Sequence, residues 1–207
     1  MPRTIITIQA PAGADLSPAL PYLDRAGDVE IRAPSLIYLN AGVSPSAKRL
    51  RRKLVLLRET VQALLNIHVR LGAASSKTVS LVAARHSPPG GLTIVPNGDE
   101  AKFLEAVVID LLPGIGRRTA TYLRNRGVNT IGKFARLPQT AAVQLFGLAG
   151  IILREFSRGA DPRDVIPHSP PPAIKIGRGS LLSLFATPLT YSTLGVGAGA
   201  RPDSTLG

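Results

Sequence analysis

The residues with the most chemical content are Leu112-Pro113-Gly114-Ile115-Gly116-Arg117-Arg118-Thr119-Ala120. Their types and order suit a grip on a phosphodiester backbone. Pro113 lacks an N–H and ends a preceding helix at a turn. Gly114 and Gly116 admit positive φ and carry no Cβ to hold a phosphate away. The next segment predicts a helix from about Arg117 to Asn125, whose first amides and positive dipole end face the turn. A phosphate oxygen then rests on backbone donors of the Pro113-Gly114-Ile115-Gly116 turn, with Arg117 and Arg118 beside it. Ala120 and Leu123 fall on the buried face at helical spacing, and Gly127 caps the end. The pattern is that of a helix-hairpin-helix. The plainer alternative is a tight turn between two helices that binds nothing.

Charge agrees with a polyanionic partner. The 207 residues carry 25 Lys and Arg against 13 Asp and Glu, a formal charge of +12. From Pro113 to Arg158 the bases are Arg117, Arg118, Arg124, Arg126, Lys133, Arg136, Arg154 and Arg158, against the single acid Glu155. Such a concentration favours phosphate contacts through counterion release. Arg118, Arg124 and Lys133 are the expected sources of added attraction. Phe146-Gly147-Leu148-Ala149-Gly150 reads as a second hairpin, with Gly147 and Gly150 expected to hold a second phosphate.

The elements that must position these residues follow from pattern. Thr4–Ile8, Val29–Arg32, Leu36–Leu39, His68–Ala73 and Leu92–Val95 read as strands, with a kink at Pro34 and a helical turn near Leu20–Asp24. Leu50, Leu54, Leu57, Val61 and Leu64 recur at intervals of three and four and predict an amphipathic helix from Ala47 to Asn66. Its first turns carry Lys48, Arg49, Arg51, Arg52 and Lys53, either a solvated face or another phosphate-contacting patch. Ser76–Arg85 and Asn97–Leu104 read as helices, giving a sandwich with one helical face. From about residue 106 the pattern is helical, with segments Ile131–Leu137, Gln139–Phe146 and Leu148–Arg158. The organisation expected is an α+β part over 1–105, a helical part over 106–166 and an irregular or disordered tail over 167–207.

Composition excludes several classes of function. A hydrophobic content of 44% supports a real core, although aromatics are only 4%. Zero cysteines exclude disulfides, thiolate catalysis and Cys-ligated zinc. No apolar run approaches the roughly 18 residues of a membrane span, and the N-terminus lacks a signal peptide's regions. The expectation is a soluble, cytoplasmic protein with no membrane partner. His68, His86 and His168 are scattered without metal-ligand spacing or nearby carboxylates, and His68 reads as a structural residue in an apolar strand. Asp99-Glu100 suits a helix start, and Asp28 and Glu30 a solvated strand face rather than a metal site.

The order of elements resembles the Y-family (translesion) DNA polymerases of the UmuC, DinB and ImuB type over roughly residues 15–166. Leu112-Pro-Gly-Ile-Gly, Thr119-Ala120, Leu123, Gly127-Val128-Asn129-Thr130-Ile131-Gly132, Phe146-Gly147 and Arg158-Gly159-Ala160-Asp161-Pro162 resemble that family's thumb. Ser76-Lys77, Ala83-Ala84 and Pro89-Gly90-Gly91-Leu92-Thr93-Ile94-Val95-Pro96 resemble its palm. The resemblance implies an α+β fold, a reduced ferredoxin-like palm remnant followed by an all-helical helix-hairpin-helix thumb. It implies DNA, primer–template or damaged, as partner, together with proteins of a repair complex.

The departures bear on catalysis. Aligned on Tyr38-Leu39-Asn40, Ser35 and Leu36 fall where the family has its metal-binding Asp-Glu, and Pro88 falls at its triphosphate lysine. Thr4–Ile8 contains no acid. The family would use magnesium, but its ligands are missing here, so no cofactor and no catalytic residue is expected. The expected role is sequence-independent DNA binding in repair or translesion synthesis by a non-catalytic member, as in ImuB-type adaptors. A structured-RNA binder and a decayed fragment without activity are the alternatives. Glycosylases of the helix-hairpin-helix class share the Pro-Gly-Ile-Gly string, but Val128-Asn129-Thr130 lacks their catalytic acid and sits too early.

Overall fold

A strand buried on both faces needs a cover on each, and the first strand imposes that condition. In a computed structural model that describes residues 3–43 and 46–168, β1 (Arg3–Gln9) has every residue from Thr4 to Ile8 buried. It lies at the centre of a five-stranded mixed sheet of order β2-β3-β1-β4-β5. The others are β2 (Asp28–Ala33), β3 (Leu36–Val43), β4 (Arg70–Ala74) and β5 (Leu92–Ile94). All neighbours are antiparallel except β4 and β5. Pro34 does not kink one strand: Pro34-Ser35 turns the chain between β2 and β3, which form a hairpin. The tail expected from residue 167 lies, beyond His168, outside the described residues.

Side chains alternate along a strand, and β1 thereby divides two layers. Ile6 and Ile8 join Leu50, Leu54, Leu57 and Val61 of α2 (Ala47–Leu65), together with Leu16, Ala19 and Leu23 around α1 (Leu20–Leu23). Ile5 clusters instead with Leu81 of α3 (Lys77–His86) and Tyr38, and Thr7 Oγ1 hydrogen bonds to Ser80 Oγ at 2.7 Å. The sheet therefore carries a helix on each face, where the sequence pattern suggests one helical face. The reason is that α3, buried from Lys77 to Ala84, shows no polar side to mark it as a second layer. In the last turn of α2 the inward position passes from Leu64, 43% exposed, to Leu65.

Small residues let α3 sit close to the sheet. A Cβ on Gly72 of β4 would lie 2.0 Å from the Ser80 carbonyl oxygen and 2.3 Å from the Ala84 nitrogen. The opposite side of α3, through Val79, Val82 and Ala83, enters a second core. That core contains Leu104 of α4 (Glu100–Ala106), Ala120 and Leu123 of α5 (Arg117–Arg124), Ile131 and Phe134 of α6 (Ile131–Ala135), and Leu153 of α8 (Ala149–Ser157). α7 (Gln139–Phe146) packs on α8, where Gly150 brings the two backbones together.

Beyond α8 the chain returns across the sheet as an extended strap. Asp161 is buried at the start of α3, accepting from Thr78 N (3.0 Å), Thr78 Oγ1 (2.8 Å), Arg163 N (3.2 Å), and Arg163 Nε and Nη2 (both 2.8 Å). Arg3 donates to the Pro162 and Arg163 carbonyls, Glu30 accepts from Ile166 N at 2.7 Å, and His168 N donates to Val29 O at 2.8 Å. Glu30 also pairs with the buried Lys77, and Asp28 accepts from Asn40 Nδ2, so the two β2 acids serve the fold. Burial pushes the Asp161 carboxyl up, but the bonds from Arg163 and Thr78 outweigh it and hold the group below its ordinary 3.8. Its contribution is thus present above the unfolded value and lost as pH falls through the folded one. Asp161→Asn is expected to cost about 2–4 kcal/mol at pH 7. It should also make the loss of stability on acidification shallower. Urea unfolding at neutral and acid pH measures both; an unchanged midpoint would show that the clasp is not structural.

Candidate nucleic-acid interface

The Pro-Gly-Ile-Gly turn is held from behind by three contacts. Arg85 of α3 donates to the Leu111 carbonyl (3.3 Å), fixing a single 3-10 turn at Ile109–Leu111. Ile109 N donates to Asn129 O (3.0 Å) and Ile131 N to Val107 O (2.8 Å), a short antiparallel ladder through Val108 and Thr130. Thr130 Oγ1 then caps α6 by accepting from Lys133 N. The helix before the hairpin is thus that one 3-10 turn, since α4 has ended at Ala106, and Pro113 follows it.

Each expected site residue has a definite place. Leu112 and Ile115 are buried in the second core, and Ile115 N donates to Leu112 O (3.1 Å). Pro113 is half-buried. Gly114 has φ +94, and a Cβ there would come 2.7 Å from Leu153 Cδ2. Gly116 corrects the sequence expectation: its φ is −79, so it is not needed for a left-handed turn. A Cβ on it would meet nothing within 4 Å, so its missing side chain leaves open space in front of α5. α5 starts as expected but ends at Arg124, and its first amide with a backbone acceptor is Ala120, which donates to Gly116 O (2.9 Å). The amides of Gly116, Arg117, Arg118 and Thr119 have no acceptor among the described residues. Arg117 and Arg118 are exposed, and neither forms an ion pair among the described residues. Of the expected residues from Pro113 to Arg118, Gly116, Arg117 and Arg118 stand at one open helix start, whereas Ile115 is turned into the core with its N–H already bonded and only anchors the turn.

The remaining four do not join them. Arg124 pairs with Asp110 and also donates to Thr121 Oγ1; its hydrogen bond holds the Asp110 carboxyl below the ordinary range. Lys133 lays its Nζ on the Gly127 carbonyl at 3.1 Å. Gly147 (φ +61) ends α7, its N–H bound to Val143 O. Gly150 is buried, its N–H donating to Gly147 O, and a Cβ there would lie 2.1 Å from the Ala142 carbonyl oxygen. At the second hairpin only Gly150 serves close helix packing; Gly147 is exposed, a Cβ on it would meet nothing within 4 Å, and its place is set by the positive φ that ends α7. Sequence reasoning missed Asp110, which sits fourteen positions from Arg124 with no periodic signal. It also missed the stacking of Arg126 over Tyr122, 3.5 Å from the ring centroid.

The expected metal positions are equally definite. Gln9 pairs with Leu36 at the end of β1, and the Ser35 carbonyl accepts from Ala10 N (2.9 Å). The Leu36 alkyl chain and the Ser35 hydroxyl do not fit magnesium, which needs carboxylate oxygens. Among the described residues no three His, Asp or Glu side chains gather as a metal site. His68 is exposed and bonds to Gln62, His86 stands edge-on to Phe103, and His168 meets a carboxylate, Asp24, at 2.8 Å.

No protein-family model matches the chain. Similarity to individual proteins is extensive: a DNA polymerase IV of Dehalococcoides mccartyi is 31% identical over 152 residues, covering 72% of this chain and 37% of that relative. A DNA polymerase IV of Streptomyces coelicolor is 30% identical over 126 residues. The chain is a homologue of the Y-family DNA polymerases. Among solved structures, a DinB-family error-prone DNA polymerase from Sulfolobus solfataricus superposes with a TM-score of 0.63 at 15% identity, covering 78% of this chain and 68% of that one. The α+β fold, with its mixed five-stranded sheet and helices, matches Y-family structure. The chain spans little more than a third of the length of the D. mccartyi polymerase.

The two hairpin glycines separate cleanly in a stability experiment. Gly114→Ala should cost at least about 1–2 kcal/mol, from positive φ and contact with Leu153. Gly116→Ala should stay within roughly 0.5 kcal/mol of the parent. Denaturant midpoints decide, and equal losses would contradict the assigned geometry.

Proposed function

We propose that this Y-family homologue binds the backbone of DNA without regard to sequence, in DNA repair or translesion synthesis, and does not itself transfer nucleotides. One observation carries the reading: four amides without an acceptor among the described residues, Gly116 to Thr119, lie at a helix start with clear space at Gly116 and the exposed Arg117 and Arg118 in its first turn. A phosphate there accepts from backbone donors fixed by the core, so little ordering is needed on binding. Arg117 and Arg118 add charge-assisted contacts. Arg124 and Lys133, already held by Asp110 and Gly127, contribute only to the field. Backbone donors read no base, which makes the contact independent of sequence. The absence of nucleotide transfer is argued from Ser35, Leu36 and Pro88, whose side chains cannot replace carboxylates and a triphosphate lysine.

The test is fluorescence anisotropy of labelled duplex, primer–template DNA and structured RNA across a salt series. Gly116→Val should weaken duplex binding at least about tenfold with the thermal midpoint retained. Arg117→Ala and Arg118→Ala should each reduce the salt slope by about one. Unchanged affinity in folded Gly116→Val would overturn the hairpin as the binding element, and tighter binding of RNA than of any DNA would overturn DNA as the ligand.

A further inference from the structure

α2 presents two different surfaces. Its inner stripe, Leu50, Leu54, Leu57 and Val61, is consumed by the sheet. Two lateral cations also serve the fold: Lys53 Nζ donates to Ala26 O (2.9 Å) and Arg58 to Gly90 O (3.2 Å). The outer surface is unspent. Lys48, Arg49, Arg51 and Arg52 are exposed, and none forms an ion pair or side-chain hydrogen bond among the described residues. The first turn contains no acid. Cations at a helix start oppose the dipole, and like charges three or four apart repel. The arrangement costs the isolated chain stability, which an anionic partner would recover.

The spacing narrows the partner. Lys48, Arg51, Arg52, Val55, Leu56 and Glu59 line one shallow depression. They succeed one another by threes and fours along the helix, a straight seam of roughly 17 Å. Leu56, in its apolar middle, is 67% exposed. A phosphodiester backbone would engage the cations and leave that leucine in water. A second helix with acids opposite Lys48, Arg51 and Arg52 and an apolar residue over Leu56 would engage both. We infer that the outer seam of α2 docks an acidic amphipathic helical segment of another protein. α2 and α3 lie on opposite faces of the sheet, and the hairpin is tied to the α3 side through Arg85 and Leu111. The chain can therefore hold this partner and a ligand at the hairpin together, although the inference does not depend on what the hairpin binds.

The probe is a random peptide display library selected on the full folded chain and counter-selected on Leu56→Ser. Enriched peptides should carry Asp or Glu together with a large apolar residue at helical spacing. Synthesised individually, they should bind the parent at least about tenfold tighter than Leu56→Ser or Arg51→Gln/Arg52→Gln. Duplex DNA affinity and its salt slope should be unchanged in both variants, whose fold is checked by circular dichroism. Each substitution is at an exposed position, and Leu56→Ser alone carries the test if the arginine pair disturbs folding. Failure to enrich peptides that discriminate against Leu56→Ser overturns the proposal. So does enrichment of peptides without acids. Loss of DNA affinity in Arg51→Gln/Arg52→Gln but not in Leu56→Ser would make the seam a phosphate-contacting surface instead.

Discussion

One buried carboxylate ties the segment after α8 to the start of α3. Asp161 receives donors from both Thr78, at the start of α3, and Arg163, in the returning strap. A carboxylate at that place also faces the favourable end of the α3 dipole. α3 is the helix that both layers need. Gly72 and Thr7 seat it on the sheet, while Val79, Val82 and Ala83 pass it into the helical core. Buried charge is tolerated only when its hydrogen bonds are made, so the strap is required to follow the path it takes. That path runs from the end of α8 to the β2 edge, where Glu30, Val29 and Asp24 receive it.

The hairpin inherits its order from this arrangement. Arg85, near the end of α3, fixes the 3-10 turn before Pro113, and the ladder between Val107–Ile109 and Asn129–Ile131 fixes it from the other side. Ile115 anchors the turn in the core and Gly114 rests on Leu153. What remains open is the start of α5, and it is open because no side chain is available to cap it: Gly116 stands at the N-cap. In a structural joint a Ser, Thr or Asp at that place would satisfy the amides. Its absence leaves a preorganised set of donors, the property that favours anion binding over simple turn formation. The homology with DNA polymerases and the net charge of +12 point the same way.

Much of this was legible in the sequence. The α2 stripe, the α5 start and the short helices after residue 130 follow from apolar spacing and from Pro and Gly, which act locally. The unread features depend on tertiary partners. α3 is rich in small residues and buried around most of its circumference, so it carries no periodic mark of which face it covers. The segment after Ala160 lacks periodicity because its order comes from side chains of distant residues, Thr78, Glu30 and Arg3. Arg124 and Lys133 look free in sequence because Asp110 and the Gly127 carbonyl approach them only after folding. Gly150 imitates a ligand loop because close helix packing and close phosphate approach both require glycine, and Gly147 because a positive φ at a helix end requires it too. At the sheet end the reading needed residue identity alone: Ser35, Leu36 and Pro88 lack the chemistry wherever the fold puts them.

If the open amides of α5 receive a phosphate, those amides must sense DNA before any other part of the backbone does. Titration of isotope-labelled protein with a short DNA duplex, followed through the backbone amide resonances, measures this. Gly116, Arg117, Arg118 and Thr119 should shift most and saturate together, while the amides of α7 and α8 around Gly147 and Gly150 stay nearly still. Saturable binding that leaves those four amides unmoved, with the largest shifts on another surface, would contradict it.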